Sequence, residues 1–149
     1  MELVSGTQVI TDAIVLLRAR MAELYEAAEQ LGKQHFDYVM AENKNKTWEG
    51  KSVLFPKART RDNTMTATWH EVRWYGSKAL NTRRMVKKVI IKPKNQHSYT
   101  MTTLLKQAQP WEGDMVREIE LELFVLRREA YFIGKALGHL NRIESDAKK

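Results

Sequence analysis

Apolar residues recur at helical spacing along the first third of the chain. Ile10, Ile14, Leu17, Met21, Leu24, Ala28 and Leu31 stand alternately four and three residues apart, the a/d spacing of a heptad. His35 and Tyr38 continue the row. The pattern predicts one long helix over 7–46, with Thr7 or Thr11 as its N-cap and Gly32 as a weak point in its interior. Asn43-Lys44-Asn45-Lys46 should end it, because asparagine favours caps and turns over helix interiors.

The period then changes. Segments 52–60 and 64–75 are rich in Val, Phe, Thr, Trp and Tyr, and Arg61-Asp62-Asn63 between them is a hairpin-turn candidate. In the second segment Met65, Ala67, Trp69, Glu71, Arg73 and Tyr75 share one face. Thr64, Thr66, Thr68, His70, Val72 and Trp74 share the other. A third strand is expected over 83–92, stopped by Pro93. Short loops favour an antiparallel meander, placing a sheet over 51–94.

A short helix over 98–108 follows, capped by Ser98 or Thr100, and Pro110 opens a last long helix over 110–145. Val116, Ile119, Leu123, Leu126, Ala130, Ile133, Leu137 and Leu140 give that helix a seam of its own. Phe124, Tyr131 and Phe132 lie off the seam and widen its apolar face. The expected class is α+β, in a single domain over 1–149. Two long antiparallel helices would flank an inserted three-stranded antiparallel β-sheet, with a short helix before the last long one. Two seams in one chain favour an intramolecular pairing of the helices, and the wide last face also allows a homodimer. The expected shape is a helical stalk with the sheet mounted at one end.

Charge changes the picture most in the middle. The 149 residues carry a formal net charge of +7. Residues 51–94 hold twelve Lys and Arg and only two acids, Asp62 and Glu71, while residues 1–50 are net acidic and residues 95–149 net neutral. Such a concentrated positive field fits a polyanion, above all nucleic acid. The candidate contacts are Lys57, Arg59, Arg61, Arg73, Lys78, Arg83, Arg84, Lys87, Lys88, Lys92 and Lys94. Arg59, Arg73, Arg83 and Arg84 are the favoured ones, since arginine can fork onto guanine as well as neutralise phosphate. Trp69, Trp74 and Tyr75 lie among them and could stack on bases or pack in the core; the opposite faces of Trp69 and Trp74 require at least one to pack inward.

Other chemistry finds little support. Cysteine is absent, so disulfides, thiol catalysis and thiolate metal sites are excluded. His35, His70, His97 and His139 are scattered without metal-ligand spacing, and no phosphate-binding glycine loop is present. Glu112, Asp114, Glu118, Glu120 and Glu122 are dense, and the positive end of a helix dipole accounts for them. No catalytic residue, metal or cofactor is expected. Neither a membrane span nor a signal peptide is read, so the expected location is the cytoplasm.

The string Trp69-His70-Glu71-Val72-Arg73-Trp74, the basic third strand, and Tyr99-Thr100-Met101-Thr102-Thr103-Leu104-Leu105 leading into Trp111-Glu112 together resemble the MobI family of conjugative transfer proteins. These proteins occur on mobile plasmids and integrative elements, and the resemblance runs from about Met21 to Leu137. It implies an accessory protein acting at an origin of transfer beside a relaxase, and brings no catalytic motif with it. The expected function is therefore non-enzymatic, sequence-selective binding of double-stranded DNA, with a relaxase or other DNA-processing protein as partner. An RNA-binding protein and a helical adaptor are the alternatives. A nuclease would need clustered carboxylates beside the basic sheet.

Overall fold

The computed structural model describes residues 6–148. Its elements are α1 (Thr7–Asn43), β1 (Leu54–Arg61), β2 (Thr64–Tyr75), β3 (Arg84–Val89), α2 (Met101–Gln107) and α3 (Gly113–Ala147), with single 3-10 turns at Trp48–Gly50 and Pro110–Glu112. The fold is α+β, and the sheet is an antiparallel meander in the order β1-β2-β3.

The apolar seam of α1 is its buried face: Ile14, Met21, Leu24, Ala28, Leu31 and His35 are all buried. The row then continues to Val39, while Tyr38 is half-buried, because a straight helix of 3.6 residues per turn drifts off a 3.5-residue repeat. The α3 seam buries Val116, Ile119, Leu123, Ala130 and Leu137. The two helices run antiparallel. Thr11 Oγ1 donates to Glu144 near one end at 2.9 Å, Arg20 bridges to Glu129 farther along, and Tyr38 OH reaches the Trp111 carbonyl near the other end at 3.3 Å.

The caps differ from expectation. Gly6 is the N-cap of α1 and gives no side-chain bond; Thr7 lies inside the helix and the Thr11 hydroxyl is spent on Glu144. Pro110 opens a 3-10 turn instead of α3 itself, which starts at Gly113 and continues through Ala147. The sheet is also not a head on a stalk. The β1–β2 hairpin lies along the helix pair: Thr64 Oγ1 donates to the Ala130 carbonyl at 3.3 Å, and Asn141 Nδ2 reaches Asn63 Oδ1 at 3.3 Å. Gly134 permits this approach, since a Cβ there would stand 3.2 Å from the Thr64 Cβ. The hairpin turns through Asp62 at φ +49°, and the second turn passes Gly76 at φ +81°, where a Cβ would fall 2.2 Å from the Thr82 carbonyl oxygen.

Leu54, Ala58, Met65, Ala67 and Trp69 face the helices and join Leu24, Leu31, Ile119 and Leu123 in one core. Inside that core lies an ion pair. Glu120 accepts from both Nη atoms of Arg127 at 2.8 Å, from Trp69 Nε1 at 2.9 Å and from the Tyr99 backbone N–H at 2.9 Å. Arg127 Nε donates to the Ala67 carbonyl at 2.7 Å and Nη1 to the His97 carbonyl at 3.0 Å. The helix-dipole account of the acidic run thus fails for Glu120, which lies inside α3, while Glu112 does stand at the α3 N-cap but is fully buried with both oxygens lacking a hydrogen-bond partner among the described residues. Burial raises the Glu112 pKa; Ser52 and the Gln109 backbone lie near enough only to soften the effect.

The two carboxylates should answer mutation oppositely. Glu120→Ala leaves Arg127 buried and unpaired and should cost about 3–5 kcal/mol. Glu112→Met removes an unsatisfied buried acid and should stabilise by about 1–3 kcal/mol at pH 7. Because the folded-state pKa of Glu112 is raised, the native state holds its proton longer, and stability is lost as pH rises from the unfolded value through the folded one. Urea unfolding at pH 4 and pH 7 should show the gain from Glu112→Met at the higher pH. A loss there would contradict this assignment.

Candidate nucleic-acid interface

The strand register decides which cations stand together. β1 pairs with β2 as Phe55 with His70, Lys57 with Thr68, Arg59 with Thr66 and Arg61 with Thr64. β2 pairs with β3 as His70 with Val89, Val72 with Lys87 and Trp74 with Met85. Residues directly opposite point to the same side. Lys57, Arg59, Arg61 and Lys87 therefore share the face turned away from the helices. Each is exposed, and no ion pair joins any of them to an acid among the described residues.

At the centre of this face is His70, buried where the sheet is three strands wide. Burial lowers its pKa, and the charges of Arg59, Lys87 and Lys57 lower it further. All three cations lie near enough to the imidazole to act on its charge.

The register separates other expected partners. Arg73 pairs with Val86 and lies on the opposite face from Arg59, with Tyr75, Arg84 and Lys88. Its guanidinium is held twice by Glu71, at 3.0 and 3.2 Å. Arg59 and Arg73 thus stand on opposite faces of the sheet. Lys87 and Lys88 do point to opposite faces, as alternation requires. Lys92 turns back onto the Pro93 and Gln96 carbonyls, and burial lowers its pKa. Lys78 sits in the exposed turn before β3, and Lys94 lies exposed after it. β3 itself ends at Val89, short of Lys92, and β1 begins at Leu54.

The three aromatics divide. Trp69 is fully buried in the core, whereas Trp74 and Tyr75 remain 48 and 45 % exposed. Trp74 belongs to a groove of about 940 Å³ that the sequence did not suggest. The outer side of α1 forms one wall with Phe36 and Met40, and Phe55 and Val72 lie on the sheet side. Trp48, from the 3-10 turn after α1, and Trp74 both meet Arg83, whose guanidinium carbon lies 4.8 Å from one ring centre and 4.7 Å from the other. Each such contact at an exposed position is worth about 0.5–1 kcal/mol. Lys33, Lys51, Lys57, Arg59 and Lys87 also line the groove. One signal for it was present: Phe36 and Met40 are apolar, four apart and off the α1 seam.

Among the described residues, no group of three His, Cys, Asp or Glu is placed to hold a metal ion, and no helix is long and apolar enough to cross a membrane. A family model described as MobI protein matches residues 24–141. No curated protein and no solved structure gives a significant match.

His70 provides a direct probe of this face. In the free protein it should titrate below the ordinary value of about 6.5. Phosphates brought against Arg59, Lys87 and Lys57 would offset their charge and raise it. By linkage, DNA affinity should then increase as pH falls from 7 to 5.5. An NMR titration of the imidazole with and without duplex DNA checks both statements; an unmoved His70 would place DNA elsewhere.

Proposed function

The chain belongs to the MobI family, which points to an accessory role in conjugative mobilisation, and from that premise we propose that it is a non-enzymatic protein that binds duplex DNA through the outer face of its sheet. The observation that carries this reading is the set Lys57, Arg59, Arg61 and Lys87 on one face without a paired acid among the described residues, with Lys57, Arg59 and Lys87 near His70 and Arg61 at the hairpin end. Four such cations release condensed counterions when they meet phosphates, which drives binding to DNA of any sequence. Arg59 and Arg61 then supply the guanidinium forks that can read guanine in the major groove, and Lys57 and Lys87 hold the backbone. Arg73, engaged by Glu71 on the other face, yields the reading role to Arg59.

An accessory protein also needs a way to meet the enzyme it assists. Val9 and Leu16 on α1 and Leu121, Val125 and Phe132 on α3 are large apolar side chains left more than half exposed. They support contact with a relaxase or another DNA-processing protein, or with a second copy of the chain.

Anisotropy titrations across a salt series, with an origin-of-transfer duplex and a random duplex of equal length, test the proposal. Lys87→Ala should weaken both and reduce the salt slope by about one unit, while Lys88→Ala should change little. Arg59→Ala should weaken the origin duplex more than the random one. A larger loss from Lys88→Ala than from Lys87→Ala would assign DNA to the wrong face here. The protein should not nick DNA with magnesium or manganese present, and cleavage abolished by Glu71→Ala or Asp62→Ala would overturn the non-enzymatic reading.

A further inference from the structure

We propose that the groove beside this face holds unpaired DNA bases, stacked against Trp48 and Trp74 in the slot that Arg83 fills in the free protein. The inference rests on the reading that the outer face meets DNA, and adds what that face does when the strands are apart.

Three observations lead to it. First, Trp48 and Trp74 have no core role: they remain 58 and 48 % exposed, while Trp69 is fully buried in the core. Two exposed indoles that meet one guanidinium offer flat faces on which a base can stack. Second, the occupant now in that slot is a planar cation with ring-centre distances of 4.8 and 4.7 Å. A guanidinium has the flat shape of a base and lies on aromatic faces as a base does. Arg83 is exposed, so its side chain can leave for a phosphate when a base arrives. A stacked base holds an indole more strongly than an exposed cation does, so the exchange favours the base.

Third, the surroundings choose a nucleic-acid strand over an apolar peptide. Lys51, Lys57, Arg59 and Lys87 line the same groove, and a strand brings phosphates to them together with flat faces to the indoles. The volume of about 940 Å³ lies within the range of about 300–1,000 Å³ usual for ligand pockets. Duplex DNA cannot use the slot, because its base faces are covered by their neighbours. The walls are therefore selective for unpaired DNA, whereas the cations serve both forms.

The test compares labelled oligothymidylate with a blunt duplex of equal length, using the full chain and its Trp48→Ala, Trp74→Ala and Trp74→Phe variants. Each alanine variant should bind oligothymidylate about five- to a hundredfold more weakly, and Trp74→Phe should retain most of the affinity. Duplex affinity should stay within about twofold throughout, since phosphate contacts do not involve the indoles. Tryptophan emission of the unaltered protein should be quenched by oligothymidylate and not by the duplex. Unchanged oligothymidylate binding in both alanine variants overturns the stacking slot and leaves duplex binding by the sheet standing. Equal losses for both probes overturn it too. An unaltered protein that binds neither probe removes both readings, and tighter binding of oligouridylate than of oligothymidylate overturns the choice of DNA.

Discussion

The buried pair of Glu120 and Arg127 is the constraint on which the arrangement rests. Two buried charges are tolerable only if every polar atom finds a partner. Here the partners come from three places at once: α3 itself, β2 through Ala67 and Trp69, and the segment after β3 through His97 and Tyr99. Tyr99 closes the circuit by accepting the Trp69 backbone N–H at 3.1 Å. A slip of β2 by one residue would break the set and also turn its outward side chains toward the helices. The ion pair therefore fixes which side of the sheet meets solvent. It never touches that side, yet the positions of Arg59 and Lys87 follow from it.

Much of this was legible in the chain. The seams of α1 and α3, the extent of β2 and its alternation are periodic signals, and burial follows them closely. The buried network was not. Glu120 and Arg127 are seven apart and so share a helix face, but each reads alone as a surface charge, and only the third dimension brings Trp69 onto Glu120. Register was equally hidden. Arg59 and Arg73 both carry odd numbers, and alternation within each strand leaves their relative side open; a two-residue turn at Asp62 and Asn63 pairs odd with even positions and sends them apart. The groove escaped notice because its walls come from distant segments, with Trp48 following the end of α1 and Trp74 at the end of β2.

The proposed interface would combine two kinds of attraction with different demands. Charge acts over about 8–10 Å in physiological salt and asks little of geometry. Stacking asks for a flat partner at contact distance. On this sheet the two are neighbours: cations extend over the β1–β2 hairpin, and indoles stand at the end of β2. A protein serving a site where duplex gives way to separated strands has use for both, in that order along one surface.

β3 carries a further consequence. All six of its residues are exposed, and its outer backbone edge has no strand beside it among the described residues. Val86 and Val89, with Ile91 just beyond, would make such an edge a template for a neighbouring molecule to extend. Arg84, Lys87 and Lys88 are spaced along the same six residues, so two molecules approaching edge to edge would set like charges against each other. The cations proposed to meet a polyanion would thus also oppose recruitment of the strand's own kind into a continuous sheet.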